Sequence, residues 1–123
     1  MIPESVSVIG QYAFFGCGQL SEIDIPTTVT AINSYAFASC SSLISLELPT
    51  SIPQISSYVF ADCTRLTSIT IPESVTSIGS YAFRSCSALT AVKLPGTLTT
   101  ISSNAFQNCK ALTDVYRSEE HTS

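Results

Sequence analysis

The sequence predicts a repeat solenoid of the α/β type, built from five stacked 23-residue coils. Two observations carry the prediction. Pro recurs at positions 3, 26, 49, 72 and 95, and Cys at 17, 40, 63, 86 and 109, each at a period of 23 without an insertion. Phe follows the same period at 14, 37, 60, 83 and 106, as do Leu at 20, 43, 66, 89 and 112 and Ile at 9, 32, 55, 78 and 101. Self-similarity at a fixed period is the mark of a repeat architecture.

Each coil reads as four pieces. The spacing Leu43-x-x-Leu46-x-Leu48 puts two apolar side chains on one face of an extended strand. Pro49 removes a backbone donor and ends that strand. An extended arm follows, with Ile52 and Ile55 as its apolar positions. Asn33-Ser34 and Ser102-Ser103 then stand where a helix cap would. The segment SYAFRSC, with Ala82, Phe83 and Cys86, is spaced for one short helical turn. A return leads to the next strand. One coil alone cannot recover the roughly 1.5 kcal/mol lost per ordered residue, because its few apolar side chains need a neighbour above and below. Stacking supplies both.

Composition narrows the function. Only 11% of the 123 residues are charged and the net charge is −4. That argues against nucleic acid, which demands clustered Lys and Arg. No apolar run approaches the ~20 residues of a membrane span, so no membrane insertion is expected. The start, MIPESVSV, has neither a basic region nor an apolar core typical of a secretory signal.

The pattern Cys-x-x-Leu-x-x-Ile-x-Ile-Pro followed by SVTSIGSYAF resembles the leucine-rich repeats of the BspA-like (Treponema pallidum type) class. The resemblance covers residues 2–116, with Val59 in place of Ala as a small departure. It implies a right-handed solenoid with a parallel sheet on one face. It also implies a non-catalytic role in binding protein or other macromolecules, in adhesion at a cell surface. It brings no catalytic residues and no cofactor. The alternative is an intracellular scaffold or sensor segment joined to an effector domain.

The last residues depart from the pattern. The column Ile25, Leu48, Ile71, Leu94 calls for an apolar residue at 117, and the chain has Arg117. The string RSEEHTS resembles the in-frame translation of a common short-read sequencing adapter. The expected division is a solenoid over 1–116, without evident caps, and a non-native or disordered tail over 117–123.

Several chemistries can be weighed. Five Cys is an odd number, which argues against a fully paired disulfide framework. Stacked Cys side chains point in parallel, which keeps their Cβ atoms beyond the ~3.5–4.5 Å that a disulfide prefers. Five buried, reduced thiols are therefore expected. A ladder also fails to converge on one point, as zinc requires. A thiol or hydroxyl nucleophile needs a base, and the one histidine, His121, is in the aberrant tail. GCG at 16–18 lacks the strand and helix that a phosphate loop needs. For the Tyr and Phe columns, core packing is preferred over a stacking platform.

The outward strand positions are the candidate binding surface. If Ile23 and Ile25 face inward, Glu22 and Asp24 face out. Beside Glu22 stand Ser45, Ser68, Ala91 and Asp114. Beside Asp24 stand Glu47, Thr70, Lys93 and Tyr116. The second column differs at every coil, whereas the Pro, Phe, Cys and Leu columns are uniform. Asp24 and Glu47 should neighbour each other as like charges, which calls for solvation, a basic partner or a shared cation. So few oxygen ligands make calcium the least favoured.

Overall fold

The structure is a computed structural model, which describes residues 2–117. Counted from one Pro to the next, it contains five coils: 3–25, 26–48, 49–71, 72–94 and 95–117. Each coil runs through an arm, a turn and a return strand. The arms are β1 (Val8–Ile9), β2 (Ala31–Ile32), β3 (Gln54–Ile55), β5 (Ser77–Ile78) and β7 (Thr100–Ile101). The return strands are β4 (Ser68–Thr70), β6 (Ala91–Leu94) and β8 (Asp114–Arg117) in the last three coils. In the first two coils they are represented by one parallel bridge, Asp24 to Glu47. All pairing is parallel and offset by 23 residues, as Ser68 to Ala91 to Asp114 shows. The expected parallel sheet is therefore present, and a second, narrower one runs along the arms. Arg117, expected to open the tail, ends β8 opposite Leu94. Residues 118–123 lie outside the described residues.

The core is a set of vertical columns. Phe37, Phe60 and Phe83 are buried, and they stack nearly parallel with one another and with Phe14 and Phe106 at 5.1–5.7 Å between ring centroids. Leu43, Leu66 and Leu89 are buried beside them, as are Ile32, Ile55 and Ile78. Truncating a buried Phe typically costs about 3–5 kcal/mol.

The turn is not helical, which corrects one element of the expectation. Two positions adopt left-handed backbone in each of the first four turns, and one does in the fifth. The first is Tyr12, Tyr35, Tyr58 and Tyr81; the second is Gly16, Ser39, Asp62, Ser85 and Asn108. The second column holds residue types that tolerate this region. Tyr is an unusual occupant, and it recurs because its ring joins a ladder described below. Between these positions the N–H groups alternate in direction. Ala36 and Ala38 close local turns onto Asn33 and Tyr35, while Phe37 and Ser39 donate to Val59 and Ala61 of the next coil. A helix would need every one of those donors within its own segment. Bonding to the next coil takes half of them.

Side-chain hydroxyls extend the same scheme. Thr28, Thr90, Thr99 and Thr113 each donate to a carbonyl of the coil before, 22 or 23 residues back. The Ser and Thr content is thus partly structural rather than a soluble coating.

One interface departs from the rest. Along the arms, Thr30 N–H donates to Ser7, Thr76 to Pro53, and Thr99 to Thr76. The equivalent donor between the second and third coils belongs to position 53, which is Pro. It has no N–H to give. There the arm sheet divides into β1–β2 and β3–β5–β7. Hydroxyls fill part of the gap: Ser51 donates to Val29, and Ser56 to Ile32 at 2.7 Å. The widest Phe spacing, 5.7 Å between Phe37 and Phe60, falls at this interface.

Ser56→Ala should therefore destabilise the fold by about 1 kcal/mol in denaturant titration, the usual worth of one hydrogen bond. Ser102→Ala, at the same column two coils on, should cost clearly less, because backbone N–H of Ser102 already serves Ile78.

Candidate functional site

The return strands place the candidate residues on one face. Ile69 and Val92 point inward and are buried, so Thr70 and Lys93 point out by alternation. Glu22, Asp24, Glu47, Thr70 and Tyr116 are exposed, and Lys93 is half-buried. Register then sorts them into two groups. Asp24 and Glu47 are bridge partners, and Thr70, Lys93 and Tyr116 are neighbours across β4, β6 and β8. Glu22, Asp24, Ser45 and Glu47 line a shallow hollow of about 250 Å³. As expected, the two like charges are side by side.

Between the two groups the sheet opens. The bond from Thr67 N–H to Ile44 is 3.3 Å, longer than its counterparts at 2.9–3.1 Å in the other coils. Beyond it, among the described residues, no backbone hydrogen bond joins 45–48 to 68–71. A cleft of about 520 Å³ lies there, with Glu47 on one wall, Thr70 and Glu73 on the other, and Lys93 beside them. Its apolar lining is Leu46, Leu48, Ile69 and Ile71, all largely buried. So the column Asp24 to Tyr116 is not one continuous strip. Glu47 and Thr70 face each other across a cleft. Glu73 was not among the sequence candidates; the signal that could have pointed to this interface is Pro53, the one Pro outside the repeating column.

The cysteines form a second ladder. All five are free thiols; Cys40, Cys63 and Cys86 are buried, while Cys17 and Cys109, in the first and last described coils, are half-buried. The expectation of five buried thiols is thus corrected to three, because these two have a described coil on one side only. The thiols of Cys40, Cys63, Cys86 and Cys109 donate to the carbonyls of Phe14, Phe37, Phe60 and Phe83, at 3.0–3.2 Å. Burial pushes Cys40 up to about 11 and Cys63 up to about 12. Cys86 is raised as well, by its hydrogen bond with Cys109 and by burial. These are poor nucleophiles at neutral pH, since the thiolate is the reactive form. Among the described residues, no group of three or more His, Cys, Asp or Glu side chains gathers as a metal site would require. His121 lies outside the described residues.

The tyrosines run along the surface, contrary to the core expected for them. Tyr12 is 53% exposed and Tyr35, Tyr58 and Tyr81 are half-buried. Their rings stack on one another at 4.6–5.0 Å, and Asn104 Nδ2 donates to the Tyr81 hydroxyl at the end of the row. With the ring faces covered by neighbouring rings, the row presents edges and hydroxyls. A platform for stacking sugars or bases needs open faces.

Comparison with known proteins agrees with this geometry. Residues 1–115 match the family model of the BspA type leucine rich repeat region (6 copies). A leucine rich cell surface protein from Faecalibacterium prausnitzii is 36% identical, with a TM-score of 0.94 over 98% of this chain and 32% of its own. The leucine rich repeat protein of T. pallidum is 35% identical, with a TM-score of 0.88 over 94% of this chain and 57% of its own. A leucine-rich repeat protein from Bacteroides ovatus is 38% identical, with a TM-score of 0.85 over 90% of this chain and 29% of its own. The chain therefore spans about a third to somewhat over half the length of these relatives. Among curated proteins, none matches.

The thiol column sets a pH dependence. The folded Cys40 and Cys63 thiols titrate above the unfolded value of about 8.5, so there the unfolded chain releases protons first. Their contribution is full below that value and lost as pH rises toward 11 to 12. Each of these two thiols should lower the unfolding free energy by about 1.4 kcal/mol per pH unit within the window. Urea titrations at pH 8 and 10.5 should show that loss, and the Cys40→Ala/Cys63→Ala variant should lose clearly less. A thiol reagent at neutral pH should modify Cys17 and Cys109 in the native chain, and Cys40, Cys63 and Cys86 only after denaturation.

Proposed function

The chain belongs to the BspA-type leucine-rich repeat family, and from that premise we propose that it is a non-catalytic module that binds a protein partner through the outward face of its return strands. One observation carries the reading. The Phe, Cys and Leu columns repeat without change and, apart from Arg117, the other interior columns change only among apolar residues, whereas Asp24, Glu47, Thr70, Lys93 and Tyr116 differ at every coil and stand exposed or half-exposed on strands or bridges. Uniform columns are what packing demands. A recognition surface instead needs distinct groups at successive heights, held on a rigid support.

The surface is acidic at one end, through Glu22, Asp24 and Glu47, so the partner is basic where it meets that end. Complementary charge of this kind acts mainly on encounter and specificity. A cell-surface setting, with adhesion as the outcome, is supported by the Faecalibacterium relative, which is itself a cell surface protein. Among the described residues, no helix is long and apolar enough to cross a membrane. We assign no cofactor, no catalytic residue and no nucleic-acid partner.

The test is selection of peptides from a random displayed library on the immobilised full chain. Selected ligands should be enriched in Lys and Arg, and raising NaCl from 50 to 500 mM should weaken them by roughly tenfold as the charges are screened. Changing Glu22, Asp24 and Glu47 together to Ser should weaken binding by a similar factor at low salt. Equal affinity of the triple variant would overturn the assignment of this face.

A further inference from the structure

We propose that the cleft between the second and third coils takes a short extended peptide segment, which adds as a strand against the open edge of β4 and carries one basic side chain. This rests on the reading of the sheet face as a protein-binding surface and names the segment that the face would take.

The shape supports a strand. The opening runs along residues 45–48 and 68–71, and four residues of strand measure ~13 Å. Spread over that length, a cleft of about 520 Å³ has a cross-section on the order of 40 Å², comparable with one strand in a sheet, ~4.8 Å by ~10 Å.

Hydrogen bonding supports a peptide in particular. β4 is paired to β6 on its far side through Ser68, Ile69 and Thr70. On its near side, no backbone bond joins 68–71 to 45–48. A strand edge of this kind presents alternating donors and acceptors, a pattern that another polypeptide backbone matches. Between the third and fourth coils, and between the fourth and fifth, those groups are engaged by strand pairing.

Side chains define the segment further. Leu46, Leu48, Ile69 and Ile71 offer apolar contact for alternate residues. Glu47 lines the opening with Asp24 as its bridge partner, which sets two carboxylates on that side against the single ammonium of Lys93. That balance fits one Arg or Lys among apolar and hydroxyl residues, and disfavours a run of positive charge. Arg fits best, because its fork of donors pairs with carboxylates in two-point contacts.

The experiment uses the full chain labelled with ¹⁵N and three capped peptides. The first is acetyl-Thr-Val-Arg-Val-Thr-amide. The second carries Glu in place of Arg. The third is the Arg peptide with both Val nitrogens methylated, so that it keeps its charge but loses two backbone donors. The Arg peptide should shift amides of 45–48 and 68–71. The Glu and N-methyl peptides should each bind at least about fivefold more weakly. Glu47→Gln should weaken the Arg peptide by a similar factor. Equal binding of the N-methyl peptide overturns the added strand. Shifts confined to the surroundings of Glu22 and Asp24 also overturn it, while leaving the broader acidic face in place. No shift with any peptide overturns it too; the broader reading then depends on the library ligands and the triple variant alone.

Discussion

The constraint on which the structure depends is that a coil must satisfy its backbone on its neighbours. Twenty-three residues that turn through nearly a full circle make few hydrogen bonds of their own, and buried N–H and C=O groups left unpaired are costly. Donors not used in a local turn therefore take an acceptor one coil away, at an offset close to 23. The arms and return strands do this by parallel pairing. The turns do it with alternate N–H groups. Beside the backbone bonds, Thr and Ser hydroxyls and Cys thiols reach across a similar distance. The Cys column is best understood this way. It fills a small apolar space and places a weak donor on the carbonyl of Phe in the coil before.

Much of this was legible in the sequence, because stacking in register writes itself as columns. Pro, Phe, Cys, Leu and Ile repeat where one side chain must lie on its equivalent. The inward and outward sides of the return strands followed from a period of two. The turn was not legible as drawn. Ala82, Phe83 and Cys86 have a spacing that one helical turn would also show, and apolar periodicity over so short a piece cannot distinguish the two. The residues that decide are Tyr81 and Ser85, both left-handed. Ser, Asp, Asn and Gly in the Ser85 column are consistent with that conformation. Tyr in the other column is not, and its position follows from a tertiary cause, the ladder of stacked rings.

That ladder also shows why residue type alone misplaced the tyrosines. A repeated aromatic at one height of a coil suggests interior, and for Phe it was interior. Stacking is equally available at the surface when equivalent rings lie ~4.8 Å apart, the spacing of paired strands. The Tyr column takes it with its hydroxyls turned to the outside, where Tyr prefers a polar contact. The rings shield one another, and the phenol of Tyr35 is held above its usual value by burial and by the neighbouring Tyr58 and Tyr12.

The interface between the second and third coils follows from the same constraint applied once in reverse. A solenoid tolerates almost any residue on its outward face, but few changes in its ladder. Pro53 is such a change: it removes one donor at a height where the other coils have Ser7, Thr30, Thr76 and Thr99. Ser51 and Ser56 hold the arm by their hydroxyls, and the turn stays bonded through Phe37 and Ser39. The return strands have no such substitute, and there the coils part. Intact coils can be recognised only through side chains, since their backbone is engaged. At this interface the backbone itself becomes available, between carboxylates that differ from coil to coil. A binding surface that combines both kinds of contact can hold a segment by its main chain and choose it by its side chains, which neither kind of contact achieves alone.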